Sequence, residues 1–164
     1  MAPASHERGR LTTRPAAPAD TTISTILKGM TMTDTSTFLR EWFDRLAESG
    51  WTAEVFLAAL SPDLVWTATG SSPISGTYRG LDAYTDGIYR PLDERLESWP
   101  RPTVERVIAE GEWGVVEFSS TGGRGKNGVD YNMRYCWIIH VEHGLVTEVI
   151  GYYDTSTVNA LFSP

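Results

Sequence analysis

The residue best suited to move a proton is Glu117, set among small and apolar neighbours in GVVEFSS (114–120). A carboxylate deprived of water holds its proton more tightly, so its pKa rises toward working pH, where it can act as a general base. Tyr135, or Tyr131 on the same parity, brings a phenol that can donate to an oxyanion developing on a carbonyl ligand. Asp154 follows the aromatic pair Tyr152 and Tyr153 and is the second carboxylate of interest. Other patterns carry less. His140 and His143 form H-x-x-H, but at a strand-to-turn junction that spacing sends the rings in different directions, and no third ligand converges, so no metal is expected. The loop TGGRGKNG (121–128) contains Gly-Lys without the spacing or the Ser/Thr of a phosphate loop. Cys136 has no His beside it and is not expected to be a nucleophile.

The elements that must position these groups are legible by period. Phe38, Leu39, Trp42, Phe43, Leu46 and Ala47 form one helical stripe from about Asp34, ending at Ser49 and Gly50. Thr52 is a plausible N-cap for a second helix, with Trp51 before it and Phe56 after it at the spacing of a hydrophobic staple, and Pro62 is expected to end that helix. LVWTAT (64–69) predicts a strand, GTYRG (76–80) an edge strand or turn, and residues 81–96 a helix that Pro91 kinks or splits. After Pro102 come four strand-like runs: TVERVIAE, GVVEFSS, VDYNMRYCWIIHV and LVTEVIGYYD, reading as an antiparallel meander.

The long run fixes the faces. Tyr131, Met133, Tyr135, Trp137, Ile139 and Val141 share one parity, expected toward the helices, and Asn132, Arg134, Cys136, Ile138 and His140 share the other. A three-residue connection Glu142–Gly144 would put Val141 opposite Leu145, Trp137 opposite Val149 and Tyr135 opposite Gly151. By the same count Asp154 lies on the outer side with Asn132 and Arg134, unless a bulge near Gly151 turns it inward. The inner face can be solid core or the wall of an apolar cavity. Large side chains with polar tips favour a cavity, because a buried phenol or indole N–H needs a partner. Trp42 and Trp66 could cap or line it.

The chain has 164 residues, with 41% hydrophobic and 11% aromatic residues, enough for one packed domain. Its formal net charge of −7 argues against a nucleic-acid surface. Residues 1–33, rich in Ala, Pro and Thr, read as a disordered extension before a domain at 34–164. They carry four of the fourteen Lys/Arg and two of the twenty-one Asp/Glu, which leaves the domain near −9. One cysteine forms no internal disulfide, and no apolar run is long enough to span a membrane, so a soluble cytoplasmic protein is the simplest expectation.

The element order and the motifs PDLVW (62–66), SGTYRGLDAY (75–84), GVVEF (114–118) and YNMRYCWIIHVEHGLVTEVIGYYD (131–154) resemble the SnoaL-like branch of the nuclear transport factor 2-like superfamily over residues 34–162. The resemblance implies an α+β fold, a cone-shaped curved antiparallel sheet wrapped around two to three N-terminal helices, also described as cystatin-like. It implies a small apolar ligand in the open end, no cofactor, and a homodimer packed through the sheet. Members include polyketide cyclases, epoxide hydrolases, ketosteroid isomerases and scytalone dehydratases. The resemblance assigns the parity of Glu117, Val115, Ser119 and Thr121 to the cavity.

The departures narrow the chemistry. The cyclases and limonene-epoxide-hydrolase-like enzymes carry a working carboxylate three residues before the terminal Asp, where this chain has Gly151. Ser119 and Thr121 stand where the epoxide hydrolases place an Arg and an Asp, and Trp66 and Ala68 stand for their water-holding Tyr and Asn. Epoxide hydrolysis is therefore disfavoured. The expectation is a cofactor-independent enzyme of secondary metabolism or small-molecule breakdown, catalysing isomerisation, cyclisation or dehydration. Glu117 would be the base, Tyr135 the oxyanion donor and Asp154 a further catalytic candidate, with Trp42, Trp66, Tyr131, Met133, Trp137 and Tyr153 binding ligand. The alternative is a non-catalytic ligand-binding or assembly domain of the same fold.

Overall fold

The structure, a computed structural model, describes residues 34–164; the expected extension at 1–33 lies outside the described residues. Helix α1 (Thr35–Ser49) forms because Leu39, Trp42, Phe43 and Leu46 make one buried stripe. It ends at Gly50, whose left-handed backbone returns its N–H to the Leu46 carbonyl. Trp51 stays in the left-handed region at φ 63°, an uncommon place for so large a side chain. Its ring explains the tolerance, lying buried 5.4 Å from Phe56 and 5.9 Å from Trp137. The Trp51–Phe56 staple thus forms around Thr52, the N-cap of α2 (Ala53–Leu57).

Pro62 does not end α2, which stops at Leu57; Pro62 already belongs to strand β1 (Leu60–Ala68). A proline cannot donate to a ladder, and the pairing of β1 is irregular between Leu60 and Val65. Strand β2 (Gly76–Arg79) follows as expected on the sheet edge. The helix expected over 81–96 is divided into α3 (Leu81–Tyr84), a π-helical turn (Thr85–Tyr89) and α4 (Arg90–Arg95). Pro91 has no N–H to continue the ladder, and the wider turn before it closes with the Arg90 N–H on the Thr85 carbonyl.

The main sheet runs β2-β1-β8-β7-β5-β4, with β4 (Arg101–Glu110), β5 (Trp113–Thr121), β7 (Arg134–Glu142) and β8 (Leu145–Tyr153). It is mixed rather than wholly antiparallel, because β1 pairs in parallel with β8. The meander itself is antiparallel, and α1 lies against β4 and β5. A small second ladder joins β3 (Leu96–Ser98) to β6 (Arg124–Gly125), inside the loop expected to be a plain connection.

The closing hairpin differs from the count by two residues. His143 and Gly144 both have positive φ and form a two-residue turn, which pairs Glu142 with Leu145. A bulge between His140 and Val141 adds the second residue of slip, so Ile139 meets Val149, Trp137 meets Gly151 and Tyr135 meets Tyr153. Beyond the bulge a slip of two keeps the side chains on their expected faces, but before it the slip is one, and Val146 rather than Leu145 turns inward opposite Val141. Tyr131, Met133, Trp137, Ile139 and Val141 are accordingly buried. Beyond β8 the chain forms α5 (Thr155–Phe162), a helix the sequence reading did not identify.

Candidate functional site

The inner face of β1, β7 and β8 and the segment from α3 to β3 enclose an aromatic cavity of about 60 Å³. Trp66, Tyr131, Tyr135, Trp137 and Tyr153 line it, together with Trp51, Tyr84 and Trp99 and the aliphatic side chains of Ile74, Ile88 and Leu92. The register explains the convergence. Gly151 lies between Ala68 of β1 and Trp137 of β7, and the absence of a side chain there lets the Trp137 indole settle across the strand. A Cβ at Gly151 would stand 3.3 Å from Trp137 Nε1. From there the ring meets Trp66 edge to face at 4.9 Å, and Trp66 in turn lies 4.5 Å from Tyr84.

Phenols supply the polar tips. Burial pushes the Tyr84 and Tyr131 hydroxyls well above the ordinary value of 10.0, and the neighbouring phenols of Tyr135, Tyr153 and Tyr84 add to the shift at Tyr131. Burial raises Tyr135 as well, with the Ser120 hydroxyl partly opposing. Tyr89 is pushed up to about 12 by burial and then by the Asp93 charge. These groups stay neutral and able to donate throughout the physiological range. Tyr153 shares its hydroxyl with Ser72 Oγ at 3.2 Å and Ser75 Oγ at 3.3 Å. The hydroxyls of Tyr84 and Tyr131 make no hydrogen bond among the described residues, and both residues line the cavity. Among the described residues no carboxylate, imidazole, lysine or arginine lines this space.

Glu117 is not in the cavity. On β5 the buried set is Gly114, Val116, Phe118 and Ser120, so the opposite parity, with Glu117, faces outward. There Arg106 Nη1 donates to Glu117 Oε2 at 2.9 Å, and Arg134 Nη2 donates to Oε1 at 3.0 Å and also to Glu105. A larger, open hollow of about 380 Å³ lies on this outer side, bordered by Arg106, Glu117 and Arg134 with Ile108, Val115, Cys136 and Tyr152. The apolar bulk of Phe118 claims the inward parity, which leaves the charged side chain to solvent.

Asp154 likewise stands apart from both the cavity and the expected trio with Asn132 and Arg134. It caps α5, accepting from Ser156 N at 2.8 Å and from Thr157 Oγ1 at 3.2 Å. The Ser156 backbone N–H is the main reason its carboxyl is held below the usual value of 3.8. Asn132 instead clamps Gly123 through both backbone groups. Trp42 is fully buried against Phe43 and Phe56 as core, and its Nε1 has no partner among the described residues. Met133 is buried next to Ser120 and does not line the cavity. Sequence reasoning did not name Trp51, Tyr84 and Trp99 as site residues; the staple placed Trp51, and the helical period over 81–96 placed Tyr84 on one side with Ile88 and Leu92, which line the same cavity.

The comparisons with known proteins agree with this architecture. The SnoaL-like domain model matches residues 39–149. No curated protein matches the chain. Among solved structures, an NTF2-like protein from Burkholderia thailandensis is similar at TM-score 0.66 and 18% identity, covering 81% of this chain and 100% of its own. A protein with a ketosteroid isomerase-like fold from Catenulispora acidiphila, in complex with trimethylamine, is similar at TM-score 0.55 and 17% identity, covering 72% and 97%. An LEH-like epoxide hydrolase from M. tuberculosis is similar at TM-score 0.57 and 19% identity, covering 79% and 89%. At these identities the neighbours show an NTF2-like fold, and the family match says where the chain belongs: it is a member of the SnoaL-like domain family.

Proposed function

We propose that the chain is a small-molecule-binding SnoaL-like domain whose ligand sits in the aromatic cavity and is oriented by Tyr84, Tyr131 and the Trp137 indole. The observation that carries this reading is an apolar space lined by neutral phenols and indoles and, among the described residues, by no acid or base. Such a wall recognises and positions; it has no carboxylate with which to abstract a proton. NMR titration with a panel of small apolar ketones and phenols tests it. Saturable shifts of the Trp66 and Trp137 indole signals are expected, with Tyr131→Phe weakening binding by about tenfold or less. Absence of shifts across the panel, or shifts confined to the outer sheet face, would overturn it.

Isomerisation, cyclisation or dehydration is the second reading, favoured by Tyr131 and Tyr135 standing where they could donate to an oxyanion. It requires a base other than Glu117. Turnover of a carbonyl substrate that survives Glu117→Gln but falls in Tyr135→Phe would support it.

We also infer that the outer sheet face pairs with a second copy. Ile108, Trp113 and Tyr152 are 59%, 41% and 48% exposed there, with the half-buried Val115, Ile138 and Ile150 between them. Sedimentation should give twice the chain mass, reduced to one in Tyr152→Glu; a monomeric wild type at micromolar concentration would refute the pairing.

A further inference from the structure

The cavity is smaller than the rings it is proposed to hold. Its volume of about 60 Å³ is close to two waters' share of liquid volume, whereas a space that takes one benzene ring is on the order of 150 Å³, so a ring enters only if a lining side chain yields. The described lining residues are all buried except Trp99, Tyr135 and Tyr153. Tyr135 and Tyr153 are fixed opposite each other in the ladder of β7 and β8, and the Tyr153 hydroxyl is held by Ser72 and Ser75. Trp99 belongs to no helix or strand; with Pro100 it forms the two-residue link from β3 to β4. Its ring lies nearly parallel to Tyr89, at 4.9 Å and 18°, and to Trp51, at 6.4 Å and 11°. Its Nε1 donates to Asp93 Oδ1 at 2.8 Å, on the exposed side of α4, where water can take over both ends of the bond. The link has a firm end beside this mobile choice, since Pro100 packs on Gly123, which Asn132 holds through both backbone groups.

Resting on the reading of this cavity as the ligand site, we propose that the Trp99 indole is its internal occupant, and that a flat aromatic molecule carrying an N–H or O–H binds by displacing it, taking over the stack on Tyr89 and donating to Asp93. The displaced indole turns out to solvent about the Pro100 end of the link, and its vacated volume joins the cavity. The ligand and Trp99 compete for the same faces and the same carboxylate, so the affinity seen from outside is the intrinsic one reduced by the fraction of molecules with the indole out.

The test titrates indole and 1-methylindole, which lacks the N–H, into the full chain and into Trp99→Ala. Removing an internal competitor should tighten indole binding by about tenfold or more, whereas removing a fixed wall would weaken it. In Trp99→Ala, indole should bind about fivefold more tightly than 1-methylindole, and a further Asp93→Ala should erase that difference, which a steric effect of the methyl group would not allow. In the wild type the Trp99 Nε–H signal, identified by its loss in Trp99→Phe, should move to the position of an exposed indole as the probe saturates. Weaker binding in Trp99→Ala, or a Trp99 signal unmoved at saturation, overturns the displacement and leaves the cavity standing as the ligand site. Equal binding of the two probes overturns the choice of a donor-bearing ring. Silence of the wild type toward indole and toward the ketones and phenols removes both readings, whatever Trp99→Ala binds. The wild-type signal decides the matter even if the Ala variant does not fold.

Discussion

Glu117 is answered on both carboxylate oxygens by arginines on the outer face of the sheet, away from the aromatic cavity. Exposed ion pairs contribute little, so Glu117→Gln is expected to cost less than about 1 kcal/mol in urea denaturation and to leave cavity binding unchanged. Asp154 behaves differently, because its oxygens satisfy helix N–H and hydroxyl donors. Its folded-state carboxyl lies below the unfolded value, so the stabilisation is complete above about pH 4 and fades as pH falls through the lower folded value. Asp154→Ala should therefore lower the denaturation midpoint at neutral pH, and the gap from wild type should narrow steadily below pH 4. A gap that stays constant down to pH 2 would mean that the cap is not the source.

At the scale of elements, the π-helical turn and β2 are keyed together by Gly87 and Tyr78. A Cβ at Gly87 would run into the Tyr78 ring, whose hydroxyl is anchored on the Ile74 carbonyl at 3.0 Å. Gly87→Ala is expected to destabilise by about 1–3 kcal/mol despite alanine's better helix propensity. Thermal denaturation checks the sign, which propensity alone would reverse. Much of this level was legible: the α1 stripe, the Trp51–Phe56 staple, the break at Pro91 and the inward parity of Tyr131, Met133 and Trp137 are all local patterns. The parity of β5 was legible too, since Val116 and Phe118 outweigh Val115 beside a glutamate, but family likeness pointed the other way. What could not be read locally was the His143–Gly144 turn combined with a bulge, which moves partners by one at the turn and by two from His140 onward. Nor could the parallel neighbour of β1, since that contact lies some eighty residues along the chain. Of the residues that line the cavity, Tyr131, Tyr135, Trp137 and Tyr153 were expected on the inner face from strand parity and register, whereas Trp99 was hidden in a non-periodic segment.

At the scale of the whole molecule, the buried phenols tie the fold to alkaline pH. Tyr78, Tyr84, Tyr89, Tyr131 and Tyr135 all have raised folded-state values. The unfolded chain therefore releases these protons first, near pH 10, and stability present below that pH is lost above it. Phenolate absorbance of these tyrosines should rise together with loss of the near-ultraviolet tryptophan signal, in one transition; ionisation well before unfolding would show that the cavity admits water and hydroxide freely. No helix among the described residues is long and apolar enough to cross a membrane. The position of β8 has one more consequence, for the order of events during synthesis. Because β8 sits between β1 and β7, the sheet cannot close until residues 145–153 have left the ribosome. Until then β1 has only the short β2 beside it, and its other edge is open to strands from other chains. A nascent chain stalled before residue 145 should be held open and protease-sensitive, and should acquire resistance abruptly once the last strand is free to insert.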